Sequence, residues 1–277
     1  MSQDLSKLLR EWPYDPDDAV RMITAEDGRS VMQVRRPVGI EQYELDGRPD
    51  GESPLGNDTV VEAIEGQLSQ YVEEYGSDDG FEIGHEDAVR LHNEGVLFYY
   101  RYLLLFQVND FERTTRDTEH NLRLTRLLER YCSNEDDRNE VLQFKPYILR
   151  MNAMSRAMTS LKRQMKEIAQ HILESAVEEI EALEDIDSPA FRFEKVRSAN
   201  YLRSTIEQLA QAETDANGEI VPVEDDQLYE EEPGGEEYGD YGDDELSRLE
   251  HELENALEEE NYERAAEIRD RIREISS

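Results

Sequence analysis

The 277-residue sequence predicts a mainly α protein with four parts. These are a small antiparallel β element at the amino end, a body of packed helical hairpins, an acidic disordered linker and a carboxy-terminal α-hairpin. Three observations lead there. Apolar residues recur at three- and four-residue spacing through residues 57–211, the period of helices with one buried face. Residues 213–245 carry 15 acidic side chains and no Lys or Arg. From Leu246 the pattern turns abruptly into two short amphipathic stripes.

Composition narrows the function before any motif is considered. Acidic residues number 67 against 30 basic ones, a formal charge of -37, so a surface that grips nucleic acid or anionic lipid as a whole is not expected. Hydrophobic residues make up 37% of the chain, low for a sequence folded throughout. A single cysteine, Cys132, excludes an internal disulfide and any zinc site built from several thiolates. The most apolar run, Val96 to Phe106, is interrupted by Arg101 and is too short to span a bilayer. With no apolar leader at the start, the expected location is cytoplasmic.

Residues 1–56 mix strand and turn signals. Val20 to Thr24 and Ser30 to Arg35 are β-prone runs flanking Asp27-Gly28, a hairpin turn pair, and Val38 to Leu45 forms a third run. Two further Asp-Gly pairs, at 46–47 and 50–51, mark tight turns. Trp12, Pro13 and Tyr14 are expected to anchor the segment by burying aromatic surface.

In residues 57–211, Asn57-Asp58 can cap a helix carrying Val60, Val61, Ile64, Leu68 and Tyr71. A buried, aromatic helix follows over about 86–106, then a polar one over about 110–131. A helical pair covers about 138–185, with Phe144, Ile148, Met151, Met154, Met158 and Leu161 on its first member. A last helix, about 191–211, carries Phe193, Val196, Tyr201, Ile206 and Leu209. Short connections favour antiparallel neighbours, hence a bundle or solenoid. Leu103 to Arg113 resembles the turn of a tetratricopeptide repeat: a Leu-rich helix, a short polar turn, then Asp-Phe opening the next helix. Arg113 and Thr114 depart from that pattern where a small residue is usual, and the pair near 145–185 reads as a degenerate second copy.

The acidic run, 212–245, cannot bury enough apolar surface to offset its ordering entropy and reads as a linker. After it, Leu246, Leu249, Leu253, Ala256 and Leu257 form one helical stripe. Glu259 to Asn261 turns the chain, and Tyr262, Ala265, Ala266, Ile268, Arg269, Ile272 and Ile275 mark a second helix. Small Ala265 and Ala266 let two backbones approach, and a Glu-rich first helix faces an Arg-bearing second one.

Residues 246–275 resemble the UVR motif, the helical hairpin of the excision-repair subunits UvrB and UvrC, some Clp-family unfoldases and protein-arginine-kinase activators. Leu249, Leu253 and Ala256, then Tyr262-Glu263-Arg264-Ala265-Ala266 followed by Ile268, Arg269, Asp270, Ile272 and Ile275, carry the likeness. The resemblance implies that these positions pair with a partner protein. That partner would be another UVR-containing protein (an excision-repair subunit or a Clp-type ATPase) or a second copy of the chain. No Gly-x4-Gly-Lys-Ser/Thr loop exists for an ATPase, and Cys132 alone cannot supply the zinc sites of the kinase activators. As a whole the chain resembles UVR-motif-containing proteins of bacteria.

Other constellations point to no chemistry. His85 and His92 stand seven apart with no third ligand in view, Asp215 to Glu219 lacks the glycine position of a calcium loop, and Cys132 has no activating partner. Arg113 to Asp117 reads as a solvated, salt-bridged helix face, although a repeat groove with Arg could receive an acidic peptide. No enzyme activity and no cofactor or metal is expected. The expected function is an adaptor or scaffold that docks a partner through the hairpin. An accessory of nucleotide excision repair recruited by UVR–UVR pairing is the alternative, and no direct nucleic-acid or membrane contact is expected in either reading.

Overall fold

A computed structural model describes residues 4–211, which form a small sheet and an array of helices. The fold is mainly α. The expected linker, 212–245, and hairpin, 246–277, lie outside the described residues.

A short helix α1 (Ser6–Glu11) precedes three strands, β1 (Val20–Thr24), β2 (Ser30–Arg36) and β3 (Gly39–Glu44). They form an antiparallel meander with β2 in the centre, in register Met22↔Met32↔Tyr43. The first hairpin turns at Asp27-Gly28 as expected. Gly28 has φ +88°, a left-handed conformation that L side chains resist, and the Asp27 carboxylate accepts from the Arg29 amide. β2 buries side chains on both of its faces: Val31, Met32, Val34 and Arg35 are all buried. Buried Arg35 donates to the carbonyls of Trp12 and Gly39, and the Arg21 guanidinium stacks 3.9 Å from the Trp12 ring. The amino-terminal anchor is therefore Trp12 alone. Pro13 and Tyr14 stay exposed, because the arginines hold the indole and its carbonyl and reach no further along the segment.

The helices are α2 (Val60–Tyr75), α3 (His85–Gln107), α4 (Phe111–Tyr131), α5 (Glu135–Leu142), α6 (Lys145–Lys162), α7 (Lys166–Ala182) and α8 (Pro189–Gln211). Their ends follow capping chemistry. Asp110 caps α4 and Asn134 caps α5, each carboxyl or amide oxygen accepting orphan amides of the first turn. α2 is capped by Thr59, one residue after the expected Asn57-Asp58 pair, and it ends at Gly76, φ +80°. The expected pair over 138–185 resolves into α5, α6 and α7. Phe144 then falls at the start of α6 and is exposed, where a position on the helix's buried face was expected.

Contacts give the helix directions. Glu94 meets His120, Gly95 meets Asn121 and Arg101 meets Asp117, so α3 and α4 are antiparallel. Thr115 meets Ser155, and Thr118 meets Asn152, so α6 runs against α4 and along α3. Glu181 binds Arg203, and Leu183 binds Lys195, so α8 runs against α7. Two turns share one geometry. At α3–α4, Asp110 donates to Leu105 O and Asn109 to Phe106 O. At α6–α7, Met165 donates to Ser160 O and Gln164 to Leu161 O. Asn109 and Gln164 have φ +60° and +59°, so both hairpins close through a Schellman-type turn without glycine.

The interior is a string of clusters along this array. Val60, Val61, Ile64 and Ile83 pack with Leu91, Leu124 and Leu128. Met32 and Leu45 seat the sheet against Leu105 of α3. Leu149, Ala153, Leu173, Ile180, Ala199 and Leu202 join α6, α7 and α8. α8 meets its neighbours through Phe191, Ser198, Ala199, Leu202 and Leu209, leaving Phe193 and Val196 68% and 62% exposed. Both were expected on its apolar face. α8 is the last described helix, and the face it buries carries Phe191, Ala199, Leu202 and Leu209.

Candidate protein-interaction site

The predicted hairpin residues Leu249, Leu253, Ala256, Tyr262, Ala265, Ala266, Ile268, Arg269, Asp270, Ile272 and Ile275 all lie outside the described residues. The candidate site that can be built atom by atom is therefore the helical array itself and the polar framework that sets its shape.

The framework starts from Arg101, a cation in the most apolar run of the chain. A charge there is tolerable only with full pairing. Asp117 of α4 supplies it: Arg101 Nε lies 2.6 Å from Oδ2 and Nη2 2.8 Å from Oδ1, both side chains fully buried. The remaining nitrogen, Nη1, donates to the carbonyls of Glu44 and Gly47 at 2.7 and 2.8 Å. Arg116 adds a bond to Leu45 O at 2.7 Å and another to Asp117 Oδ1 at 3.0 Å. The loop after β3 is thus held by two arginines on two helices. This corrects the reading of Arg113 to Asp117 as a solvated face: Thr114 and Asp117 are fully buried, and Asp117 is paired with Arg101 of α3.

Two turns along α3, Glu94 is also fully buried. It accepts from the amides of Val60 and Val61 at 2.7 and 3.0 Å, capping α2 from a different helix, and pairs with His120 Nε2 at 3.1 Å and Arg48 at 3.3 Å. Burial pushes its carboxyl up. The bonds from His120 and the two amides outweigh that, holding it below the ordinary glutamate value. Since Glu94 is a carboxylate, His120 Nε2 carries the proton of their bond. The His120 imidazole stacks on Phe98 (3.7 Å between centroids, 10°), and Arg101 lies 4.8 Å from the Phe98 centroid. One chain of contacts joins Arg48, Glu94, His120, Phe98, Arg101 and Asp117.

On the parallel helices α3 and α6, aromatic rings make a continuous strip. Tyr99 meets Tyr100, Tyr102 and Tyr147 at 5.4, 5.6 and 6.0 Å. The strip reaches α8 through Arg150, whose guanidinium lies 4.8 Å from both the Tyr147 and Tyr201 centroids, with Glu194 3.8 Å away. Tyr102, Tyr147 and Arg150 are buried, so the strip ties α3, α6 and α8 together.

His85 bonds Asp137 at 2.9 Å and His92 lies 3.6 Å from Glu140, so both histidines fasten α5 to α3. Burial pushes the Cys132 thiol up, and its Sγ donates to Asn134 O. Among the described residues, no three His, Cys, Asp or Glu side chains are grouped to hold a metal, and no helix is long and apolar enough to cross a membrane. Sequence reading does not find Glu94, His120 or Arg150. Only Arg101 leaves a signal, as a charge inside an apolar run.

Comparison with known families places a UVR motif (UvrB/uvrC motif) at residues 243–277. No curated protein and no solved structure matches the chain. The UVR motif is a protein-interaction module of excision-repair subunits, which is consistent with a protein partner.

Proposed function

We propose that the chain is a non-enzymatic, cytoplasmic adaptor whose carboxy-terminal UVR hairpin docks a partner protein. The motif at 243–277 carries this reading. Its position after an acidic run with no basic residue supports a division into 1–56, 57–211, 212–245 and 246–277, with the hairpin as an independent module. Tethering would raise the effective concentration of the hairpin's partner near anything the body binds. The repeated turn geometry of α3–α4 and α6–α7 supports a tetratricopeptide-like body. The partner is another UVR-containing protein, such as an excision-repair subunit or a Clp-type ATPase, or a second copy. Because the motif takes its name from UvrB and UvrC, accessory action in excision repair is the second reading. It too would run through protein contact, given the net charge of -37.

Ala266→Glu in the full chain tests the module. It places a carboxylate where two helix backbones are expected to meet, and burying an unpaired charge costs several kcal/mol. UVR-containing partners, identified by mass spectrometry after pull-down, should be lost by at least tenfold, with thermal melting of the body unchanged. Glu267→Gln should behave like the parent. Normal recovery by Ala266→Glu, or a lowered melting temperature of the body, would contradict the proposal.

A further inference from the structure

We propose that the end of the array where the α3–α4 and α6–α7 turns meet is a docking site for an acidic amphipathic segment of a partner protein. The hairpin has no part in this inference, which concerns a second surface.

The first observation is charge. Between residues 141 and 166 there are six basic residues and no acidic one, in a chain with 67 acidic side chains and 30 basic ones. Arg156, Lys162 and Arg163 are exposed. Arg156, Thr159 and Arg163 stand at i, i+3 and i+7, along one face of α6.

The second observation is shape. A cavity of about 350 Å³ opens between the carboxyl end of α6 and the amino end of α4, lined by Thr159, Lys162 and Arg163 on one side and by Val108, Asn109, Asp110, Phe111 and Glu112 on the other. Lys162 spans it, donating to Asn109 O at 2.8 Å with its ammonium 4.4 Å from the Phe111 centroid. The acidic groups here are already engaged or few. Asp110 binds Arg113 at 2.6 Å, Glu112 binds Arg163 at 2.9 Å, and Glu167 is the remaining one on the turn.

The third observation is exposed apolar surface on the same turns. Val108, Met165 and Ile168 are 36%, 45% and 51% exposed. Cations beside apolar side chains and a cavity complement a helix with acidic residues on one face and apolar anchors on the other. A nucleic-acid duplex would match the cations only, and it would meet the field of a strongly negative chain.

The test uses the full chain and two fluorescent probes: a synthetic 20-residue peptide with Glu on one helical face and Leu on the other, and a 20-base-pair DNA duplex. The peptide should bind saturably by anisotropy. Arg156→Glu/Arg163→Glu should weaken it about tenfold and Ile168→Asp several-fold, with unchanged far-ultraviolet circular dichroism. Arg203→Glu on α8, away from these turns, should have no effect. Ala266→Glu should bind the peptide like the parent, so failure here leaves the hairpin reading standing. Absence of saturable peptide binding, indifference to the charge reversal, or tighter binding of the duplex than of the peptide would overturn the proposal.

Discussion

Between α3 and α4 the packed interior holds Glu94, Arg101, Asp117 and His120, whereas α6, α7 and α8 meet through Ala153, Ala157, Ala169, Leu173, Ile180, Ala199 and Leu202. Apolar contacts are non-directional, so their strength follows buried area and fit. Charged contacts demand one partner at one place, and an unmatched member costs more than the pair contributes. The first interface also holds something the second does not: the loop after β3, through the carbonyls of Glu44, Leu45 and Gly47. At the first interface, polar burial therefore occurs where three parts of the chain must be set in one arrangement. Apolar residues dominate where α6, α7 and α8 stack, with Arg150 of α6 and Ser198 of α8 as buried polar exceptions.

The sharpest way to break this contrast is Asp117→Ala. It strands the Arg101 guanidinium in the interior and should cost about 3–5 kcal/mol in urea denaturation. Arg101→Met/Asp117→Leu should lose much less, because no charge is left unpaired. If the double variant were as unstable as the single one, the interface would depend on the ion pair itself.

Leu173→Ala probes the apolar interface, where Leu173 is fully buried. Cavity formation should cost about 3 kcal/mol. Native-state hydrogen exchange should then rise in α6 to α8 while α3 and α4 stay protected; uniform loss would show the two interfaces to be one cooperative unit.

Glu94→Gln should cost about 2 kcal/mol at neutral pH, with a diagnostic pH dependence. The folded carboxyl titrates below its ordinary 4.5. Its stabilisation is therefore complete above that value and disappears as pH falls through the lower, folded one. Parent and variant melting temperatures should differ most above pH 4.5 and converge as the pH falls below it. A difference constant over that range would remove Glu94's charge from the account.

The smallest effect is Thr59→Ala, which removes a cap from α2 and should cost about 1 kcal/mol by thermal melting. The cost stays small because Glu94 already binds the next two amides.

Local patterns carried much of the fold. The Asp27-Gly28 hairpin and the helices around 86–106 and 110–131 were legible, since turn chemistry and helical period act within a few residues. The start of α2 was read one residue early, because a neighbouring Asn and Asp compete with Thr59 as caps. Phe193 and Val196 have the period of a buried face and are exposed. Periodicity shows that a helix has an apolar stripe, and the neighbours decide which stripe is covered.

The sequence by itself determined the helical class, the β meander, the acidic run and the UVR motif at the carboxy end. Each is written in residues close together along the chain. Tertiary structure alone decided that Arg101 meets Asp117, that Glu94 caps a helix 34 residues away, and that two distant turns share one cavity. Those contacts join side chains far apart in sequence. Residue types reveal that a buried charge needs a partner, but only the packing of whole helices brings that partner within bonding distance.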